Sequence, residues 1–383
     1  MLAEAQNHLA DADEALGVVL PGSPDMWSPV VCSSGRRRHT RAARSGSDGD
    51  HERANRQLRW PAVKKDLAHP GWTWNLLQAS ALRPGERVLV VVDEPLAEAG
   101  SQLLAAARDT GAEPELHLWA GERPLPQVPT AMLEGARHAD VLFSLQQEPR
   151  GDEASLRSKL NETTLRHGGR GLFLGFVDAA LLADELSLPP PDLTTVAEGL
   201  LAQVRGADSI RLRNPAGTDL SFLVTGRPWL TDARPLGPGE YGNYPGGEIF
   251  VAPLEDSANG VLVADLTVPY TVEGLVDEPV VLRFEAGRVT SIEGGRAATM
   301  LRDLVEKAGT GGNVIAELGI GLNPSVRPRG HVMLDEKAAG TAHVAIGHNA
   351  GSYGGANQAS IHVDCIFSSP EIEVDGRPLE LPA

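Results

Sequence analysis

Between Glu317 and Asp364 this chain gathers four of its eleven histidines and several acids into glycine-rich sequence, closing with Gly354-Gly355-Ala356-Asn357-Gln358-Ala359-Ser360-Ile361-His362-Val363-Asp364. In an extended strand alternate side chains share a face, so His362 and Asp364 point the same way and can grip one ion from one side, with Val363 facing the opposite layer. Three other segments carry similar donors in Gly/Pro-rich settings. The turn Asn243-Tyr244-Pro245-Gly246-Gly247 delivers Glu248 at the start of a strand, Glu317 sits in Ala316-Glu317-Leu318-Gly319-Ile320-Gly321, and His343 follows Asp335-Glu336-Lys337-Ala338-Ala339-Gly340-Thr341-Ala342. Three acids and two neutral imidazoles suit a pair of divalent ions. Carboxylates offset four positive charges, while imidazoles favour zinc, cobalt, manganese or iron over harder cations.

The elements that must position these donors fall into two patterns. From Trp60 onward the sequence alternates β and α. Arg87-Val88-Leu89-Val90-Val91-Val92-Asp93 is a β-branched run of the kind buried in parallel sheets, and a helix over about 95–110 follows, stopped by Gly111 before a second strand at Glu115–Trp119. Further strands are predicted at Ala139–Ser144 and Gly171–Phe176, which makes this half a doubly wound α/β domain. No GxGxxG follows the first strand, so the half reads as a scaffold for one wall of a cleft rather than a dinucleotide site. Near Ala207 the pattern changes to strand, turn, strand: Ser209–Arg213, Asn214–Asp219, Leu220–Val224. Strands at 248–252, 260–268, 280–284 and 289–293 and a helix at about 295–307 complete an α+β metal-binding domain. The organisation read from sequence is a disordered extension over 1–57, an α/β domain over 58–206 and the metal-binding α+β domain over 207–383. The extension is set apart by Pro21-Gly22-Ser23-Pro24, the basic run Arg36-Arg37-Arg38-His39 and Ser45–Asp50, with no apolar periodicity to offset the entropy of ordering it.

Composition narrows the class. The chain is 42% hydrophobic and carries 51 acids against 34 basic residues, a formal charge of −17. Such a charge repels phosphate backbones, so no nucleic-acid partner is expected. Cys32 and Cys365 lie far apart without CxxC spacing, which suggests neither a disulfide framework nor a thiolate zinc site. No window approaches the ~18 apolar residues that span a bilayer, and the N-terminus lacks a secretory pattern. The expectation is a cytoplasmic enzyme with no membrane partner.

The motifs Asn-x-Pro-x-Gly-Glu-x-Phe-x-Ala-Pro from Asn243, the Gly-flanked Glu317 before Asn323-Pro324, Asp335-Glu336-Lys337-x-x-Gly-Thr-x-His343-x-Ala-x-Gly, and Gly354-Gly-x-Asn-x-x-Ser-x-His362-x-Asp364 resemble those of the aminopeptidase T-like metallopeptidases, also called thermophilic leucyl aminopeptidases. The resemblance covers roughly Trp60 to the C-terminus. It implies two divalent ions (Zn, Co or Mn) held by Glu248, Glu317, His343, His362 and Asp364, commonly in a homodimer, with a peptide or other small-molecule substrate losing its N-terminal residue. Two ions about 3.5–4 Å apart would acidify a bridging water and stabilise an oxyanion. Glu317 or Glu336 would then pass the proton of that water to the leaving amine. The bland reading of Glu336 is a helix cap or surface ion pair. The family's tyrosine seven residues after the first metal histidine is Ala350 here; His348 and Tyr353, in the same shortened loop, are the candidates to replace it. His331, ahead of an expected strand, reads as structural.

Relatives within the same fold hold one Fe(II) on the His-x-Asp strand and open a hydroxylated pyridine ring with dioxygen, so a ring-cleaving dioxygenase is the alternative. Retention of both Glu248 and Glu317 favours the hydrolase, since a single-iron facial triad has no use for three carboxylates. A non-catalytic binding protein would be expected to lose ligands first, and none is lost.

Overall fold

The computed structural model describes residues 68–150, 153–187 and 191–381; the expected extension over 1–57 lies outside the described residues. The run Arg87–Asp93, buried from Val88 onward, forms the middle of a parallel sheet. It lies between Glu113–Trp119 and Val141–Leu145, and Arg170–Leu174 continues the sheet. Helices cover both faces. Gly71–Ala79 and Ala97–Asp109 pack with Val88, Val90 and Val92, while Thr130–His138 and Glu153–Arg166 pack with Leu89 and Val91. This is the doubly wound arrangement that the β-branched runs called for, and Gly111, at φ 86°, follows the second of these helices as expected. A fifth strand, Tyr241–Asn243, comes from far later in the chain and pairs in parallel with Arg170–Leu174. It brings the Glu248 turn to the edge of this sheet.

The carboxyl end of Arg87–Asp93 is covered by buried ion pairs. Asp93 lies 3.1 Å from the Arg157 guanidinium and accepts the Gln147 N–H at 2.9 Å, and Arg157 and Arg123 both reach Glu153. The crevice where such sheets take ligands is thus occupied by protein side chains.

Beyond residue 207, apart from Tyr241–Asn243, the strands pair antiparallel, so the boundary expected at 207 is crossed by one strand that returns to the parallel sheet. The hairpin Ser209–Arg213 and Asp219–Leu223 sits inside a seven-stranded sheet, extended on one side by Asn259–Ala264, Val280–Glu285 and Arg288–Glu293 and on the other by Glu371–Val374 and Arg377–Pro378. The next sheet has five strands in the order His362–Ser368, Thr341–Gly347, Ile315–Gly321, Glu248–Val251, Leu230–Thr231. One core joins the two sheets. Ile210, Leu212, Phe222 and Leu262 from the first meet Leu318, Ile320, Val344, Ile346, Val363 and Phe367 from the second, with the helix Arg296–Ala308 contributing Ala297, Ala298 and Leu301. Each such side chain contributes about 1.5–3 kcal/mol when fully buried. Among the described residues no helix is long and apolar enough to cross a membrane.

Candidate metal centre

Alternation along four neighbouring strands puts every expected ligand on one face of the five-stranded sheet. Register pairs Glu317 with Ala345 and Ala345 with Asp364, Gly319 with His343, Gly347 with His362, and Gly321 with Glu248. Cross-strand partners share a face, so Glu248, Glu317, His343, His362 and Asp364 all point away from the shared core. Val363 points into it, as its place between the two ligands requires.

The positions between the ligands are small for a reason. A Cβ on Gly319 would lie 2.0 Å from Cε1 of His343, and one on Gly321 would lie 2.2 Å from the Ala338 carbonyl oxygen. Gly319→Ala is therefore expected to push the His343 imidazole out of the cluster and lower metal affinity at least tenfold with the fold intact; unchanged affinity by calorimetric titration would show that the ring has room to move.

The donors converge. Nε2 of His343 lies 3.6 Å from Glu317 Oε1, 3.8 Å from Asp364 Oδ1 and 3.9 Å from Glu248 Oε2, and Nε2 of His362 lies 3.2 Å from both Glu317 Oε2 and Asp364 Oδ1. Ligand atoms of Glu317, His343 and Asp364 all fall within 4.8 Å of one another, a spacing one cation can bridge. The main-chain carbonyl of His348 accepts the Nδ1–H of His362 at 2.7 Å, leaving the Nε2 lone pair aimed at the cluster. Oε2 of Glu248 and Nδ1 of His343 are buried polar atoms without a hydrogen-bond partner. An orphaned carboxylate oxygen beside crowded acids and imidazoles fits a divalent cation, and Glu317, His343 and Asp364 are spaced so that they could hold one.

Electrostatics agree. Burial opposes charge on both imidazoles, yet hydrogen bonding to Glu317 and the nearby Asp364 raise His343 to about 9, and Asp364 with Glu317 hold His362 well above its ordinary value. Burial would raise the two acids, but the His362 and His343 charges hold Glu317 below its ordinary value and Asp364 at about 2. The metal-free cluster thus traps protons that a cation must displace. Because His343 is an imidazolium below about pH 9, metal uptake at pH 7 should release protons, and apparent affinity should rise roughly tenfold per pH unit for each proton displaced. Calorimetry in buffers of different ionisation enthalpy reads the release directly; zero protons released would contradict this account.

Two participants were not assigned from sequence. Lys337 is fully buried; its Nζ lies 3.0 Å from Asp232 Oδ2 and 3.0 Å from Glu336 Oε1 and bonds Glu248 Oε1. The ammonium lies among three carboxylates, and their charges hold it well above the ordinary lysine range in spite of burial. Asp232 also accepts the main-chain N–H groups of Gly247 and Glu248 at 2.8 and 2.9 Å, fixing the turn that delivers Glu248. The motif around Lys337 was visible in the sequence, but nothing local marks Asp232.

The remaining site candidates separate. Glu336 is the C-cap residue of the short helix Val332–Asp335, but its ion pair is not on the surface: it is 6% exposed, pairs with Lys337, lines the cavity over the ligands, and burial against Lys337's attraction raises its carboxyl to about 7. Tyr353 also lines that cavity, its ring stacked on His362 with centroids 5.1 Å apart and planes at 22°. His348 is buried and supplies its carbonyl to His362. His331 precedes the short helix Val332–Asp335, not a strand. The space over the ligands, counted out to where it opens to solvent, is about 430 Å³. Another of about 450 Å³, lined by Asp232, Arg234 and Tyr244, shares Asn243 with it but holds none of the five ligands.

The chain matches the family "NicX: 2,5-dihydroxypyridine 5,6-dioxygenase" over residues 72–380. The 2,5-dihydroxypyridine 5,6-dioxygenase of Pseudomonas putida is 35% identical over 114 residues, 29% of this chain and 31% of that protein. Aminopeptidase T of Thermus aquaticus is 28% identical over 185 residues, 42% of this chain and 43% of that protein. The matched part therefore spans less than half the length of either curated relative. Among solved structures, the P. putida dihydroxypyridine dioxygenase superposes with TM-score 0.64 at 22% identity, covering 81% of this chain and 94% of that one. Wild-type AmpT of Thermus thermophilus superposes with TM-score 0.57 at 18% identity, covering 81% and 96%. At these identities the structures share the fold. The aminopeptidase T resemblance holds as a partial sequence match and a common fold, while the match that runs the length of the described residues is to the other group: the chain belongs to the 2,5-dihydroxypyridine 5,6-dioxygenase (NicX) family.

Proposed function

We propose that this protein is a metal-dependent hydrolase that removes the N-terminal residue of peptides, using two divalent ions of the zinc, cobalt or manganese type. Family membership sets the scaffold, and the chemistry of a site has to be argued from its donors. The observation that carries this reading is the charge of the cluster. Three carboxylates, those of Asp232, Glu248 and Glu336, meet the ammonium of Lys337, and two more, Glu317 and Asp364, meet the imidazoles; counted as ionised, these five acids and one ammonium leave four negative charges when the imidazoles are neutral. Two divalent ions balance that number, and one leaves a surplus that is costly in a buried site.

Bound in this way, the ions supply an acidified water and an electrophile for the peptide carbonyl. The chain does the rest. Glu336, near 7, is matched to taking a proton at neutral pH and returning it to the leaving amine. Lys337 holds one oxygen each of Glu248 and Glu336 and so fixes the direction of the other. Tyr353, stacked on His362 and lining the cavity, is the residue that would donate to an oxyanion in this reading.

One observation favours the alternative. The family itself bears the name of a ring-cleaving dioxygenase, and His343, His362 and Asp364 would serve as a two-histidine, one-carboxylate set for a single Fe(II) acting on a dihydroxypyridine-like substrate. Metal analysis joined to two assays decides between them. The hydrolase reading expects two zinc, cobalt or manganese ions per chain and release of nitroaniline from aminoacyl anilides; one iron per chain with dioxygen uptake on 2,5-dihydroxypyridine would refute it.

A further inference from the structure

The cavity over the ligands has a second wall with a different character. Beside the acids and imidazoles, its lining includes Phe176, Tyr270, Val332 and Met333. Phe176 comes from the loop after Arg170–Leu174 in the parallel sheet, and Tyr270 from the segment after Asn259–Ala264 in the antiparallel sheet. Their rings meet at 5.9 Å between centroids. Both backbones are left-handed, φ 58° at Phe176 and 63° at Tyr270. Such a conformation costs a non-glycine residue on the order of 1–3 kcal/mol, and glycine would remove the cost. An aromatic side chain kept at two such positions, touching each other and lining the same cavity, indicates that the rings themselves are needed there.

Phe176 is also tethered from outside. The Nε2–H of His331 donates to the Phe176 carbonyl at 2.7 Å, and the two rings meet edge to face at 6.4 Å. His331 precedes the short helix that leads into Glu336 and Lys337. Asp335, fully buried in that helix, accepts the Gly330 and Arg329 N–H groups at 2.7 and 2.9 Å and the Thr267 hydroxyl at 2.5 Å. The aromatic wall and the acidic wall are therefore held at a fixed separation by one braced segment.

We propose that Phe176 and Tyr270 form the subsite for the substrate's N-terminal side chain and select a flat aromatic group, with His331 as the residue that positions Phe176. The identity of that group rests on the hydrolase reading above. Aromatic rings prefer offset or edge-on partners at centroid distances of about 4.5–7 Å, which this pair offers to a third ring.

The test uses metal-loaded full-length protein and compares L-phenylalanine with L-alanine in two ways: kcat/KM on their p-nitroanilides, and affinity for their hydroxamates by calorimetry. Wild type should favour phenylalanine roughly 10-fold or more in both, the discrimination expected of an apolar pocket. In Phe176→Ala and Tyr270→Ala that ratio should collapse toward one with metal content unchanged. His331→Ala should lower the ratio through KM, with kcat retained, and His331→Gln, which keeps a donor, should restore it. Absence of anilide hydrolysis combined with a Phe176-dependent preference for phenylalanine hydroxamate would sink the hydrolase reading and leave the subsite standing. An equal phenylalanine-to-alanine ratio in wild type and Phe176→Ala, in both measurements, overturns the subsite.

Discussion

His362→Ala or Asp364→Ala is expected to abolish metal binding and turnover while the parallel-sheet half of the molecule stays folded. Both side chains leave the same strand on the same face, and each stands within 3.2–3.8 Å of another ligand atom, so deleting either opens the centre of the cluster. The strand itself should survive. Val363, Cys365 and Phe367 keep it anchored in the shared core, and it lies at one end of its five-stranded sheet with Thr341–Gly347 as its ladder partner. His362→Ala also removes the donor to the His348 carbonyl, a loss of about 1 kcal/mol that does not threaten a domain of this size. Metal content and a melting curve on each purified variant check the claim. Full metal occupancy in both variants would show that the ion, if any, sits elsewhere.

That the clustering of these five candidate donors on one face was readable from sequence, while their partners were not, is a matter of range. The period of two is a local rule, and Gly319 and Gly321 after Glu317, like the spacing His362-x-Asp364, announce a strand whose one face must stay open. The doubly wound half was readable for a similar reason, since a run such as Val88–Val92 can be buried only in the middle of a covered sheet. Asp232 and Lys337 are different. They meet across more than a hundred residues, and neither changes the hydropathy pattern around it; only folding places the ammonium among three carboxylates. Tyr241–Asn243 is three residues long, too short to show a period, and its parallel pairing with Arg170–Leu174 is set by tertiary packing. Glu336 could be read from sequence either as a proton carrier or as a helix cap or surface ion pair, and the surface alternative falls away only with the fold, because Leu334 and Ala338 on either side are buried in the core of the parallel-sheet half.

Glu248→Gln and Glu317→Gln separate the two enzymatic readings most sharply. Gln keeps the shape of the side chain and removes its charge, so the fold and the apolar core behind the sheet are left alone. If two ions are held, each of these glutamates neutralises part of the second cation. Either substitution should then lower stoichiometry toward one and cut anilide hydrolysis by roughly a thousandfold, about 4 kcal/mol of transition-state stabilisation. The two are not expected to behave alike in every respect. Glu317 lies against both imidazoles, so its substitution should also release the protons trapped on His343 and His362 and move metal uptake to lower pH. Glu248 faces Lys337, and Glu248→Gln leaves that ammonium with two carboxylates instead of three, which shifts the balance against a neighbouring cation. A mononuclear iron site built on His343, His362 and Asp364 predicts something else. At least one of the two Gln variants would then keep its full metal content, and wild type would consume dioxygen with a dihydroxypyridine while leaving anilides intact. Metal content and both activities measured on wild type and the two variants decide the matter, and complete metal retention by both variants would defeat the two-ion hydrolase.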